Sequence, residues 1–257
     1  MFELPLKVVN LLSLLALATL PLPTKSKEKS SMPLIIAHRG ASGAFTENTL
    51  EAFTAALEVG ADWVELDIRR TGDGHVVVHH DPETADGRLI AETAVADLPD
   101  HISTLTEVLK ACGSMGVNIE IKSDPNEADF DPSHEIIPRV VEVARTHLSL
   151  DKVLVSSFDM TAINAVRDLA RTLPTAFLTS EAIGAEVAVG RASAHGHVAI
   201  NPHDDIVTPR WVAEAHDAGL AVNVWTVDDP ARMIELAEME VEGIITNVPE
   251  LAIETLR

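Results

Sequence analysis

Nine short apolar runs rich in branched aliphatics, most of them separated by helical patterns, constrain this chain more than any other feature of its sequence. The runs are Leu34–Ala37, Trp63–Ile68, Val76–Val78, Val117–Ile121, Val153–Ser156, Thr175–Leu178, Val198–Ile200, Val222–Trp225 and Gly243–Thr246. Helical periodicity marks Asn48–Val59, Thr104–Ala111, Glu135–His147, Thr161–Leu173, Pro209–Ala218, Pro230–Ala237 and Pro249–Leu256. Leu50, Phe53 and Leu57 share one face of the first, Gly60 stops it, and three of the helices open on proline, which suits their first position. Only Arg69 to His75 separates the second run from the third, too little for a parallel crossover of about a dozen residues. Those two runs must therefore be antiparallel, turning at Gly72-Asp73-Gly74. The remaining eight suit an α/β TIM (β/α)8 barrel, with the surplus hairpin strand after strand 2. A doubly wound open sheet is the alternative, and no G-x-G-x-x-G motif supports it.

The 257 residues are a typical length for one such barrel. Tyr is absent and aromatics are 4%, so the core must rest on Val, Ile, Leu and Ala, as barrel interiors do. A net charge of −21 repels phosphate backbones and argues against nucleic-acid binding. An anionic substrate would then need a local positive site. Cys112, the single cysteine, excludes an intrachain disulfide and is expected on an apolar helix face.

Residues 1–31 stand apart from the barrel domain, 32–257. Val8 to Leu20 is apolar but short for a bilayer span, Lys7 precedes it and a polar run, Thr24 to Ser31, follows. One reading is a signal-like or anchoring segment with N-terminal membrane contact, and a secreted or membrane-anchored enzyme. The other takes Met32 as the true start of a cytoplasmic one.

Alternation puts Glu65 and Asp67 on one face of their strand with Trp63, and Val64, Leu66 and Ile68 on the other. Glu120 and Lys122 repeat the pattern on a later strand. Carboxylates gathered in a barrel repel unless a cation neutralises them. Either they hold a metal, Mg²⁺ or Ca²⁺ from their hard oxygen ligands, or they form salt bridges with Lys122 or Arg39. The turn sets Glu65 opposite His80, within a residue of register. His38-Arg39-Gly40 closes the first strand at the rim where barrel active sites lie. Two imidazoles, a carboxylate cluster and the anion-binding Arg39 and Lys122 make a phosphoryl-transfer constellation.

Ala37-His38-Arg39-Gly40-Ala41-Ser42-Gly43 with Glu47-Asn48-Thr49 resembles the opening of bacterial glycerophosphodiester phosphodiesterases. So do Val64-Glu65-Leu66-Asp67-Ile68, Val78-His79-His80-Asp81-Pro82, Asn118-Ile119-Glu120-Ile121-Lys122, Ser156-Ser157-Phe158, Val224-Trp225-Thr226-Val227 and Gly243-Ile244-Ile245-Thr246-Asn247. Each fragment alone is weak, but seven in order are specific. The resemblance implies a metal-dependent enzyme that cleaves a small glycerophosphodiester to sn-glycerol 3-phosphate and an alcohol. It implies His38 and His80 as acid/base pair, Glu65, Asp67 and Glu120 as metal ligands, Arg39 and Lys122 on phosphate, Trp225 in the substrate pocket, and Glu47 in support. Thr46 and Asn247 depart from the family pattern, Asn247 with an expected weakening of a rim hydrogen bond. The cap segment between Asp81 and Ile102 is short. The rivals are a phospholipase D or phosphoinositide phospholipase on the same barrel, an enolising barrel enzyme, and an inactive binding module.

Overall fold

The computed structural model describes residues 32–180 and 184–257. The 1–31 segment, with both readings of it, lies outside them. No helix among the described residues is long and apolar enough to cross a membrane.

Nine strands form among the described residues: β1 (Leu34–His38), β2 (Trp63–Arg70), β3 (Val76–Val78), β4 (Gly116–Ile121), β5 (Val153–Ser157), β6 (Thr175–Thr179), β7 (Ala199–Pro202), β8 (Ala221–Val224) and β9 (Gly243–Thr246). Eight of them close a parallel ring in the order β1-β9-β8-β7-β6-β5-β4-β2, completed by the β1–β2 pairing. The ninth, β3, lies outside the ring and runs antiparallel to β2. The expected barrel with its extra hairpin strand is what forms.

The helices are α1 (Leu50–Val59), α2 (Leu105–Ala111), α3 (Ile137–His147), α4 (Met160–Leu169), α5 (Ala185–Ala194), α6 (Pro209–Asp217), α7 (Pro230–Glu238) and α8 (Pro249–Leu256). Side-chain caps set several of their starts. Thr49 accepts from the Ala52 N–H to open α1, and Thr104 forms a capping box with Glu107 at α2. Asp159 caps α4, which begins at Met160, one residue before the expected start, and ends at Leu169 rather than Leu173. The helix α5 has no counterpart among the sequence-based expectations. Its run of small residues interrupted by Gly190 carries little polar contrast, and Ala188, Val189 and Ala192 are buried by its neighbours.

Alternation along β2 sorts the core. Val64, Leu66 and Ile68 face outward into the layer beneath the first helices, with Phe53, Leu105 and Val108. Trp63, on the inward face, packs into the barrel floor with Leu154, Ala176 and Ala199. Gly116 is required there, because a Cβ would stand 2.1 Å from the Trp63 ring. Cys112 is buried beside α2, and burial pushes its thiol up to about 12, as befits a packing residue.

The hairpin register differs by one residue from the reading off the turn. Ile68 faces Val78 and Arg70 faces Val76, which extrapolates to Asp67 opposite His79, and the His79 N–H donates to the Asp67 carbonyl at 3.0 Å. The ladder stops there, and His80 is placed by the path of the departing chain rather than by strand alternation. The Asp81–Ile102 segment is compact. It contains two 3-10 turns, Ile90–Glu92 and Val95–Asp97, and a small core of Val77, Ile90, Leu98 and Ile102.

Candidate active site

The carboxyl ends of β1, β2 and β4 converge on three acids. Parallel pairing sets Glu120 of β4 beside Asp67 of β2, and Glu65 lies one step below on the same inward face. Glu65, Asp67 and Glu120 are buried, and one oxygen from each falls within 4.8 Å of the others. Two cations flank them. Lys122 Nζ donates to Glu120 Oε1 at 2.9 Å and stands 3.6 Å from Asp67 Oδ1, while Arg39 Nε lies 3.1 Å from Asp67 Oδ2. Salt bridges therefore do form, but they leave the cluster short of positive charge. Glu65 Oε1 and Asp67 Oδ1 are buried without a hydrogen-bond partner among the described residues.

Titration behaviour reflects that shortage. Burial, and then the charges of Asp67 and Glu120, push Glu65 well above the ordinary carboxylate range. Glu120 is pushed up to about 7 by burial and by Asp67. Burial works to raise Asp67 as well, but Lys122 and Arg39 outweigh it and hold that carboxyl below its usual value. Burial and mutual repulsion thus favour the protonated forms of Glu65 and Glu120. The unpaired oxygens and the all-oxygen donor set fit a hard divalent cation.

The turn after β1 completes the rim. Arg39 and Gly40 adopt positive φ of 56° and 84°, and a Cβ on Gly40 would stand 2.6 Å from the Ala52 backbone. This tight turn packs the chain against α1 and aims the Arg39 N–H at Glu65 Oε2, at 3.2 Å. Glu47 stands at the edge, bound by Arg39 Nη1 at 2.8 Å. Asn48, expected inside the first helix, instead takes φ 58° ahead of it and donates its amide to Asp67 Oδ2 at 2.9 Å.

His38 Nε2 lies 3.8 Å from Glu65 Oε2, and its Nδ1 is 2.7 Å from Asn247 Oδ1. The Asn247 amide is oriented by Asp228, whose Oδ2 accepts from Asn247 Nδ2 at 2.7 Å. Asn247 Oδ1 therefore faces the ring, Nδ1 carries the proton, and Nε2 is left to accept one. Asn247 thus contacts His38 directly, with the Asp228 carboxylate behind it. Burial, and then Arg39, hold His38 below the usual imidazole value.

His80 is half-buried, with Nδ1 2.7 Å from Asp81 Oδ1. Trp225 follows β8, donates Nε1–H to the Asn201 carbonyl, and meets Phe158 and His203 edge-on at 5.5 and 4.8 Å. Phe158 in turn lines a cavity of about 660 Å³ together with Glu120, Lys122, Phe130, Met160 and Phe177.

The sequence profile of the Glycerophosphoryl diester phosphodiesterase family matches residues 38–251, from the first of these histidines to α8. The chain belongs to that family. Its sequence is 31% identical over 245 residues to a glycerophosphodiester phosphodiesterase of Caldanaerobacter subterraneus subsp. tengcongensis, covering 87% of this chain and 98% of that one. A phosphodiesterase of Oleispira antarctica, solved in complex with the product sn-glycerol-3-phosphate, superposes with a TM-score of 0.79 at 26% identity, covering 87% and 96% of the two chains. The glycerophosphodiester phosphodiesterase of Thermotoga maritima gives 0.74 at 27% identity, with 87% and 98% covered. The expected family, and with it an enzyme that cleaves phosphodiesters, is borne out.

The geometry thus gathers six of the residues singled out from the sequence: His38, Arg39, Glu65, Asp67, Glu120 and Lys122. Glu47 joins through Arg39, and Trp225 through Phe158. Reading the sequence missed Asp228 behind Asn247, and it missed Arg69, whose Nε donates to the His80 carbonyl at 2.7 Å. Arg69 had a signal, since alternation places it on the same face as Glu65 and Asp67.

Proposed function

We propose that this chain hydrolyses glycerophosphodiesters to sn-glycerol 3-phosphate and an alcohol, with a divalent cation, Mg²⁺ or Ca²⁺, held by Glu65, Asp67 and Glu120. The observation that carries this reading is the buried, cation-deficient triad flanked by Arg39 and Lys122, with His38 3.8 Å from Glu65. The bound cation supplies charge stabilisation for the phosphoryl oxygens. Arg39 and Lys122 orient the anionic phosphate, whose approach the net charge of −21 otherwise opposes.

His38 accepts the proton of the attacking water as its oxygen bonds to phosphorus and the bond to the alcohol breaks. Its partner is a neutral amide, its Nε2 is unprotonated, and it sits above the metal-ligand face. His80 is the proton donor to the departing alkoxide, its ring oriented by the contact of Nδ1 with Asp81 Oδ1. Trp225 and Phe158 wall the substrate pocket. The product-bound Oleispira antarctica structure supports the substrate class.

The test is release of glycerol 3-phosphate from glycerophosphodiesters of several head groups, with EDTA and then with Mg²⁺ or Ca²⁺ restored. Loss on chelation and recovery on restoration are expected. A rate untouched by EDTA overturns the metal assignment. Turnover of intact phospholipids alone would establish the phospholipase reading instead.

A further inference from the structure

Arg69 is charged, fully buried and directed into the barrel two residues beyond Asp67. A guanidinium carries five N–H donors, and here each is used. Nε donates to the His80 carbonyl at 2.7 Å, and Nη2 donates to the same oxygen. Nη1 donates to Glu127 Oε2 at 2.9 Å and to Asp129 Oδ2 at 2.7 Å, and Nη2 reaches Glu127 Oε1 at 3.1 Å. The side chain thus holds the backbone of His80 from one side and the segment after β4 from the other. Glu127 also lines the cavity shared with Glu120 and Lys122.

The position of His80 needs such a restraint. The β2–β3 ladder ends at Val78, so no strand pairing holds residue 80. Among the described residues its side chain is hydrogen-bonded only to Asp81, which is itself exposed and adjacent in the chain. A forked donor on the carbonyl fixes the one part of His80 from which the imidazole's direction follows, and fork geometry is what a lysine lacks.

We propose that Arg69 is a positioning residue that sets the backbone of His80 for proton transfer and ties it to the cavity wall at Glu127 and Asp129. This rests on the role of His80 given under Proposed function. A carbonyl clamp acts on the chemical step rather than on substrate affinity, so its loss appears in kcat and not in KM.

A double-mutant cycle tests it, with glycerol 3-phosphate release measured for wild type, Arg69→Lys, His80→Ala and the pair. Arg69→Met enters the same cycle if it folds; Arg69→Lys keeps the charge opposite Glu127 and Asp129, and thermal denaturation of each variant checks its fold. Arg69→Lys is expected to lower kcat by roughly tenfold or more with KM within about threefold, and His80→Ala by roughly 10²–10⁴-fold. In the His80→Ala background, Arg69→Lys should cost less than about twofold, because the residue it positions is gone. Glu127→Gln with Asp129→Asn leaves the carbonyl clamp in place and should lower kcat less than Arg69→Lys does.

Wild-type kcat in Arg69→Lys overturns the proposal, and so do additive effects in the cycle. An equal kcat loss in the Glu127→Gln/Asp129→Asn variant would show that Arg69 acts through the loop and not through His80, which also overturns it. Full activity in His80→Ala removes the proposed role of His80 itself, an outcome distinct from additivity, in which His80 matters and Arg69 does not act through it.

Discussion

Two buried ionic clusters lie on the same face of β2, two residues apart, and they are built on opposite principles. Around Arg69, one guanidinium meets two carboxylates and a carbonyl, and every donor is used. Around Glu65, Asp67 and Glu120, three carboxylates share two cations, and Glu65 Oε1, Asp67 Oδ1 and Arg39 Nε stay without a hydrogen bond. The first cluster is closed and rigid. The second is left open at the cost of raised carboxyl affinities for protons. A closed cluster satisfies the fold, whereas an open one in a barrel mouth is a site for a ligand of opposite charge.

The largest expected difference between the clusters comes from Glu65→Gln. Losing one ligand of the open cluster should remove about 3–4 kcal/mol or more of transition-state stabilisation, roughly 10²–10³-fold in activity or more, while leaving the fold intact. Product release and thermal denaturation of the same preparation would check it. Near-normal activity with a raised melting temperature would make the triad a strained structural feature and erase the contrast.

Arg69→Met addresses the closed cluster. Glu127, Asp129 and the His80 carbonyl would lose their shared donor, and stability should fall by about 3 kcal/mol, read from urea denaturation. A change under about 1 kcal/mol would mean that the closed cluster contributes little to the fold.

A third, smaller effect concerns pH. Glu120 is held at about 7 in the metal-free protein, with Glu65 raised as well, whereas both titrate lower in the unfolded chain. Between the unfolded and folded values the folded state binds protons that the unfolded chain has released. Their contribution to stability is therefore fully present below the unfolded carboxylate range and is lost as pH rises toward 7, by an amount of order 1–3 kcal/mol. Melting in EDTA at pH 5 and pH 7.5, for wild type and Glu120→Gln, isolates the effect, and bound Mg²⁺ should flatten it. A wild-type decline no steeper than that of Glu120→Gln would show that the open cluster holds no proton.

The smallest effect is expected at His79. Its imidazole lies near Arg69 and His101 rather than the triad, and burial holds it below the usual value. His79→Ala should stay within about threefold of wild-type activity, where His80→Ala does not. A dead His79→Ala would place the wrong histidine beside the open cluster.

Much of this was legible in the chain because it depends on local periodicity. Alternation alone put Glu65 and Asp67 on one face and Val64, Leu66 and Ile68 on the other. Seven residues between two strands forced the hairpin and left eight strands for the ring. Local signals failed where tertiary context overrode them. Asn48 left its helix because Asp67 needed a donor, and α5 formed from a small-residue run whose burial its neighbours supply. The hairpin register slipped by one, since a flexible glycine turn specifies pairing weakly.

The sequence by itself determined the barrel, its extra strand, the family and the acidic triad, because strand period, loop length and motif order act over a few residues at a time. Tertiary structure alone decided which charges close and which stay open. Arg69 meets Glu127 and Asp129 across 58 and 60 residues, and His38 meets Asn247 across 209. No periodicity encodes such pairings. They exist because ring closure brings β1, β2, β4 and β9 to one rim, where burial strips water from each charged group and forces it to find a partner or to wait for one.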